Sequence, residues 1–359
     1  MTINTKKFFN ENELPDLPGL GGGGGGTNAI TGKAKTKTIG NYMKDAFKIS
    51  TIPARFLLNI KSPEDPQSKF ASPTDGMKLK DKIALVSAAG RGIGKAIVEG
   101  LAVEGATVVV NSYSEETSSR TASDIKRKGG KAISMPGDAT DPKGILTLVK
   151  QTTEKFGRID ILVNNVGAAP KEAPEIPDHA MGKTEGLWNA MYKQNLLPTV
   201  LMTEAVSEEM KRQKEGKIVN ISSIAGVDSF SPKTLTNLVH PSYGSMKAAI
   251  LSYTKNCAEL FGPSNINVNA VCPGIVYTDA WQKNAANLVK NIPEFQGNDP
   301  RKWFEGIFSD DHPEYFNRTP LKREQSASDM SNAVLFLVTE DSMNITGQTL
   351  IVDGGMFKI

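Results

Sequence analysis

From Lys78 onward, short apolar runs alternate along the chain with longer segments of helical periodicity. We predict strands at 83–86, 107–110, 132–135, 159–163, 217–221, 267–271 and 349–352. We predict helices at 96–102, 117–128, 143–156, 186–212, 242–261 and 327–338. This alternation is typical of a doubly wound, parallel α/β sheet with helices on both faces. Ligands of such sheets bind beyond the carboxyl ends of the strands, and candidate site residues are therefore sought there.

The first predicted strand ends in a glycine-rich turn, Ser87-Ala-Ala-Gly90-Arg91-Gly92-Ile93-Gly94, which opens a helix. Glycines allow the backbone to approach a pyrophosphate, and the helix N-terminus supplies N–H groups and positive potential. A glycine-rich turn alone is weak evidence. Between a first strand and a helix, it indicates a Rossmann-type nucleotide site in a three-layer α/β/α domain.

Tyr243 and Lys247 are four residues apart in the predicted helix 242–261, so their side chains share one face. A free phenol has a pKa of about 10 and is a poor base at neutral pH. A nearby ammonium favours the phenolate and lowers that pKa, which can produce a tuned acid–base group. The spacing alone is equally compatible with a solvated helix face.

Further motifs along the chain decide between an acid–base pair and a solvated helix face. They are Asn164-Asn165-Val166-Gly167, Asn195, Asn220-Ile-Ser-Ser223-Ile-Ala-Gly226, Pro273-Gly274-Ile-Val276-Tyr-Thr278 and Thr346-Gly-Gln-Thr-Leu-Ile-Val-Asp353-Gly-Gly355. Together with the glycine turn and Tyr243/Lys247, this set resembles the short-chain dehydrogenase/reductase family, in its 3-oxoacyl reductase-like, single-domain branch. The resemblance covers Lys78 to the C-terminus. Ala88 departs from the family's first glycine, but we expect the turn to survive because alanine is small.

The resemblance implies an oxidoreductase that reduces a ketone or other carbonyl by hydride transfer, or oxidises the matching secondary alcohol. The implied catalytic residues are Asn195, Ser223, Tyr243 and Lys247. Tyr243 would act as acid or base, Lys247 would lower its pKa and bind the nicotinamide ribose, Ser223 would donate to the carbonyl oxygen, and Asn195 would hold a water. Ser222 is the alternative to Ser223, which is favoured because it precedes Ile-Ala-Gly226.

The implied cofactor contacts are Ser87, Gly90, Arg91, Gly92, Ile93, Gly94, Ser112, Asp138, Ala139, Asn165, Gly167, Tyr243, Lys247, Pro273, Gly274, Val276 and Thr278. An acidic residue at the end of the second strand would select NADH through the ribose 2′-hydroxyl, but this position is Ser112. Arg91 could pair with a 2′-phosphate, or it could be a solvated loop residue. We therefore predict NADPH rather than NADH. Thr278 is expected at the carboxamide, or only as a turn cap.

Two segments are longer than we expect for the family, between Ser223 and Tyr243 and from about 275 to 320. The second, which we call the lid, reads as irregular. It carries seven aromatic residues, Trp281, Phe295, Trp303, Phe304, Phe308, Tyr315 and Phe316. They either cover an apolar or ring-bearing ketone or simply pack the lid. His179 and His312 are interpreted as surface residues, and no spacing predicts a metal site.

Residues 1–76 form a separate Gly- and Pro-rich extension, with six consecutive glycines at Gly21–Gly26. It is either a disordered tail or an arm that docks on a protein partner or on the chain's own body. Residues 77–359 are predicted to be a single Rossmann-type domain. The alternative function is a structural or regulatory subunit that is anchored by the extension.

The ten Lys and Arg against seven Asp and Glu of residues 1–76 account for the whole net charge of +3. The rest is neutral, which argues against a nucleic-acid partner. No apolar run is long enough for a membrane span. Cys257 and Cys272 are read as core residues in a reducing compartment, the cytoplasm or an organelle matrix, and not in a secreted protein. The resemblance implies a homo-oligomer, dimeric or tetrameric, that acts on a small-molecule carbonyl substrate.

Overall fold

The computed structural model describes residues 77–168 and 185–358. The calls on residues 1–76 and on His179 lie outside these ranges. The described residues contain one seven-stranded sheet, and its strands run close to the predicted ranges. The strands are β1 (Ile83–Val86), β2 (Thr107–Ser112), β3 (Lys131–Pro136), β4 (Ile161–Asn164), β5 (Gly216–Ile221), β6 (Ile266–Pro273) and β7 (Thr349–Val352).

All strand pairs are parallel, in the order β3-β2-β1-β4-β5-β6-β7. Leu85 in β1 pairs with Val109 in β2 on one side and with Leu162 in β4 on the other. The strand order therefore reverses between β1 and β4, and their carboxyl ends open a crevice there. This is the place where a doubly wound sheet binds its ligand.

The helices are α1 (Gly92–Val103), α2 (Glu115–Arg127), α3 (Pro142–Phe156), α4 (Glu185–Met191), α5 (Leu197–Gln213), α6 (Pro232–Asn237), α7 (Pro241–Phe261), α8 (Asp279–Asn291), α9 (Pro300–Gly306) and α10 (Ala327–Val338). Several begin at side-chain caps. Asp141 accepts from Gly144 at the start of α3, and Ser326 and Asp329 form a capping box at α10.

The sheet is covered by helices on both faces because its strands are apolar on both sides. Ala84 and Val86 of β1 pack in one core with α1, α2 and α10. Ile83 and Leu85 pack in the other with α3, α5 and α7. This period-two division produces the predicted three-layer domain. None of the helices in the described ranges is long and apolar enough to cross a membrane.

The lid was expected to be irregular, but α8 and α9 lie in it, so this prediction was wrong. Helix α6 lies in the other long segment, between Ser223 and Tyr243. They enclose a third apolar cluster, and six of the seven lid aromatics are buried in it: Phe295, Trp303, Phe304, Phe308, Tyr315 and Phe316. Most of these aromatics therefore pack the lid rather than cover a ligand. His312, interpreted as a surface residue, is half-buried and belongs to this packing, stacked on Trp303 with ring centroids 5.1 Å apart.

The predicted long helix at 186–212 is present, since the chain is helical from Glu185 to Gln213. A π-helical turn, Tyr192–Leu196, lies within it between α4 and α5. Hydrophobic periodicity does not report one extra residue in a turn, so the sequence did not predict this feature. Cys257 and Cys272 are buried free thiols, as predicted.

Candidate active site

The helix α7 brings the predicted acid–base pair to the end of β5. His240 caps the helix and Pro241 begins it, so Tyr243 lies in its first turn and Lys247 one turn later. The Lys247 ammonium is buried and donates to the backbone oxygen of Ile221 at 3.1 Å. Its nitrogen lies 5.7 Å from the centre of the Tyr243 ring.

Ser223 completes this group, because it directly follows β5. Its hydroxyl lies beside the phenol of Tyr243, where it lowers the pKa of that phenol, and it accepts from the backbone N–H of Ala225 at 3.2 Å. Ser222 is directed elsewhere and donates to the buried carbonyl of Lys247 at 2.8 Å. The structure therefore places Ser223, and not Ser222, against the phenol.

Asn195 lies in the π-helical turn and is fully buried. Its amide nitrogen donates to the carbonyls of Ala168 and Met191, at 3.0 and 3.1 Å. Its Oδ1 is buried without a partner among the described residues. A methyl group on Gly167 would lie 3.1 Å from this oxygen and 2.6 Å from the Lys247 nitrogen. The two polar atoms therefore border one small space, of the kind that a bridging water can occupy.

Burial dominates the electrostatics of this group. It lowers the pKa of Lys247 to about 8, because a buried ammonium has lost its water. It also raises the pKa of Tyr243, and the neighbouring Ser223 hydroxyl opposes this only in part. The prediction that Lys247 lowers the Tyr243 pKa stays a prediction, because burial of the phenol sets the direction of its shift in the cofactor-free protein.

The glycine turn has the close contacts expected of a phosphate cradle. A methyl group on Gly94 would lie 2.4 Å from the carbonyl of Ala88 and 2.5 Å from the Asn165 side-chain nitrogen. Gly92 adopts a φ of 55°, which favours glycine. Ala88 also has a left-handed φ of 50°. The turn survives the substitution, as expected, but with an alanine where the backbone conformation favours glycine.

Of the other predicted cofactor contacts, Ser87 begins the turn, Ser112 adjoins it, and Asp138 and Ala139 follow β3. A methyl group on Gly90 would lie 2.6 Å from the Ser112 hydroxyl, so Ser112 adjoins the turn. Ser87 is buried and accepts from the backbone N–H of Asn165, which is a structural contact between strand ends. Asp138 accepts from the backbone and hydroxyl of Thr140. Ala139 is buried in the core under α3.

A cavity of about 950 Å³ joins the glycine turn to the group formed by Ser223, Tyr243 and Lys247. Eleven of the predicted site residues line it: Arg91, Ile93, Asn165, Gly167, Ser223, Tyr243, Lys247, Pro273, Gly274, Val276 and Thr278. Ser87, Gly90, Gly92, Gly94, Ser112, Asp138, Ala139 and Asn195 are not in its lining.

The remaining wall of the cavity is mainly apolar, with Leu187, Met191, Ile224, Phe230, Leu235, Leu238, Val239 and Trp281. The polar exceptions include His240, whose Nδ1 accepts from the backbone N–H of Ser242. Much of this wall comes from the two segments whose extra length the sequence showed, but Leu187 and Met191 were missed. The described residues hold no group of three His, Cys, Asp or Glu side chains placed to bind a metal ion.

A sequence model of short chain dehydrogenases matches residues 82–288, more than half of the chain. This chain belongs to the short-chain dehydrogenase family. A second match, described as enoyl-(acyl carrier protein) reductase, covers residues 302–357. Family membership makes this short-chain dehydrogenase an oxidoreductase of carbonyl or alcohol substrates with a nicotinamide cofactor.

Its relatives act on different compounds. The 3-oxoacyl-(acyl-carrier-protein) reductase of Escherichia coli is 30% identical over 283 residues, which cover 79% of this chain and 100% of that protein. L-Sorbose reductase from Gluconobacter frateurii, in complex with NADPH and L-sorbose, superposes with a TM-score of 0.68 at 27% identity, covering 79% of this chain and 99% of that one. A 7α-hydroxysteroid dehydrogenase with NADH and 7-oxo glycochenodeoxycholic acid gives 0.63 at 29% identity, covering 80% and 99%.

A nicotinamide dinucleotide fits the residues present. The cavity runs from Arg91 and Ile93 at the glycine turn to Tyr243 and Lys247 at the end of β5. The tight contacts at Gly94 leave no side chain over the turn, as close approach of a pyrophosphate requires.

Proposed function

We propose that this short-chain dehydrogenase is an NADPH-dependent carbonyl reductase with Tyr243 as its acid–base group. The observation that carries the proposal is that the Ser223 hydroxyl lies beside the phenol of Tyr243, next to the buried ammonium of Lys247. The three groups line one cavity with the glycine turn. A ketone oxygen placed against both hydroxyls would present its carbon to the same cavity.

Bound NADPH supplies the hydride that the carbonyl carbon accepts. Ser223 and Tyr243 hold the carbonyl oxygen by hydrogen bonds, which strengthen as negative charge develops on it. Tyr243 then gives its proton to that oxygen. The positive charge of Lys247 stabilises the phenolate that remains. A water between Lys247 and Asn195 Oδ1 would carry the replacement proton, and this role accounts for the unpartnered oxygen.

The Tyr243→Phe variant tests this mechanism. Removing the phenol should lower kcat by about 100-fold or more, since it abolishes proton transfer but leaves the cavity shape almost intact. NADPH binding, followed by the fluorescence of the reduced nicotinamide, should change little. Tyr253→Phe, ten positions along the same helix, is the matched control and should keep its activity. Full turnover by Tyr243→Phe would show that another group transfers the proton.

The preference for NADPH is supported by two residues at the glycine turn. Ser112 adjoins Gly90 and carries no charge that would repel a 2′-phosphate. Arg91 is exposed and lines the cavity. Arg91→Ala should lower kcat/KM for NADPH by about 10-fold or more, because a charge-assisted contact to the 2′-phosphate is lost. The kcat/KM for NADH should remain nearly unchanged. A wild-type preference for NADH would overturn the assignment.

The substrate is proposed to be an apolar ketone of considerable size, because the cavity wall beyond Tyr243 is mainly aliphatic and aromatic. Two buried free cysteines support a cytoplasmic or organelle-matrix location. A homo-oligomer is proposed from family membership. No observation on residues 77–168 and 185–358 favours the alternative of a structural or regulatory subunit.

A further inference from the structure

The wall of the cavity that faces Tyr243 is made largely by a very short helix. Helix α6 has six residues and contributes Leu235 and Thr236 to the cavity lining, and Leu238 and Val239 follow directly after it. A helix of fewer than two turns is not stable in isolation. The position of this wall must therefore be determined by what α6 packs against.

The partner of α6 is the lid, and the contacts converge on one residue, Tyr315. Its backbone oxygen accepts from the hydroxyls of Ser231 and Thr234. Its phenol accepts from the Asn237 side-chain nitrogen at 3.3 Å and donates to the Glu294 carboxylate. Tyr315 is only 1% exposed. One buried residue thus holds the start of α6 through its backbone oxygen and the end of α6 through its phenol, which also bonds a second element of the lid.

The charges around Tyr315 reinforce this arrangement. Lys233 of α6 forms an ion pair with Glu294 at 3.2 Å, and its nitrogen lies 5.2 Å from the centre of the Tyr315 ring. Burial and the neighbouring carboxylate raise the pKa of Tyr315 to about 12. The phenol therefore stays protonated and able to donate to Glu294 at neutral pH.

We propose that Tyr315 is a positioning residue that holds α6 against the lid and thereby determines which ketones fit the cavity. The inference rests on the proposed function for its substrates, but the position of α6 can be measured without turnover. A large ketone reaches the α6 wall and depends on its position. A small ketone contacts Ser223 and Tyr243 alone and does not.

Tyr315→Phe and Thr234→Val test the two sides of this contact with nearly isosteric changes. Neither residue lines the cavity. Each variant should increase amide hydrogen exchange in residues 232–240 by at least 10-fold, because α6 loses anchoring hydrogen bonds. Each should raise KM about 5-fold or more for a bicyclic ketone such as 2-decalone. For a small ketone such as diacetyl, kcat should stay within 2-fold of the wild-type value. Tyr253→Phe is the control, because the Tyr253 phenol donates to the Val200 backbone oxygen, outside the lid. Its hydrogen exchange and its kinetic constants should match those of the wild type.

Three results would overturn the proposal: unchanged exchange in 232–240, unchanged KM for the large ketone, or an equal loss of kcat for both ketones. The last would mean that Tyr315 acts on the catalytic group itself. If the wild-type enzyme reduces no ketone, the proposed function fails, and the exchange measurement still decides whether Tyr315 positions α6.

Discussion

The buried ammonium of Lys247 predicts a specific pH dependence of stability in the cofactor-free protein. Its side chain is 3% exposed, and burial lowers its pKa from the usual 10.5 to about 8. In this case the unfolded state holds the proton more strongly than the folded state does. Between these two pKa values, rising pH therefore stabilises the folded protein through Lys247.

The expected size follows from the two pKa values. The full interval corresponds to about 3 kcal/mol, of which about 2 kcal/mol should appear between pH 7 and 9.5. Methionine has a similar length and no charge. The Lys247→Met variant should therefore be the more stable protein at pH 7, and its advantage should shrink by about 2 kcal/mol at pH 9.5.

Urea unfolding of the cofactor-free proteins at a series of pH values measures this difference. The raised pKa values of Tyr243 and Cys272 make both proteins less stable at high pH, so this effect largely cancels in the comparison. Lys255→Met is the matched control, since Lys255 is exposed on the same helix. Its stability should follow the wild-type curve. If the Lys247→Met curve also runs parallel to wild type, the ammonium is not desolvated and the reasoning is wrong.

Two further predictions concern the glycine turn and the serine pair. Ala88→Gly should stabilise the protein by about 1 kcal/mol in urea unfolding, because Ala88 has a φ of 50°; a loss of stability would contradict the assigned backbone conformation. Ser223→Ala should lower kcat by about 100-fold. Ser222→Ala should keep kcat and lose about 1–2 kcal/mol of stability, because its bond to the Lys247 carbonyl is buried; the reverse pattern would exchange the two roles.

The proposed positions of Ser223, Tyr243 and Lys247 could be inferred from the sequence because they follow a strand end or lie on a regular helix, whereas Asn195 lies in a π-helical turn. Tyr243 and Lys247 are four residues apart on α7, and this spacing alone places both on one face. Ser222 and Ser223 could not be separated by spacing. Their directions depend on where the chain leaves β5, and only the bond from Ser222 to α7 shows which hydroxyl remains for Tyr243.

Local chemistry in the sequence thus determined the parallel sheet, the glycine turn and the positions of the proposed acid–base residues of this short-chain dehydrogenase. These features depend on neighbouring residues, through apolar periodicity, strand ends and helical spacing. The burial of Tyr243 and Lys247 and the position of the cavity wall formed by α6 were decided by the tertiary structure alone. The pKa values of Tyr243 and Lys247 depend on how much water the surrounding elements exclude, and α6 takes its position from Tyr315, some eighty residues away along the chain. No local pattern records contacts over such a distance.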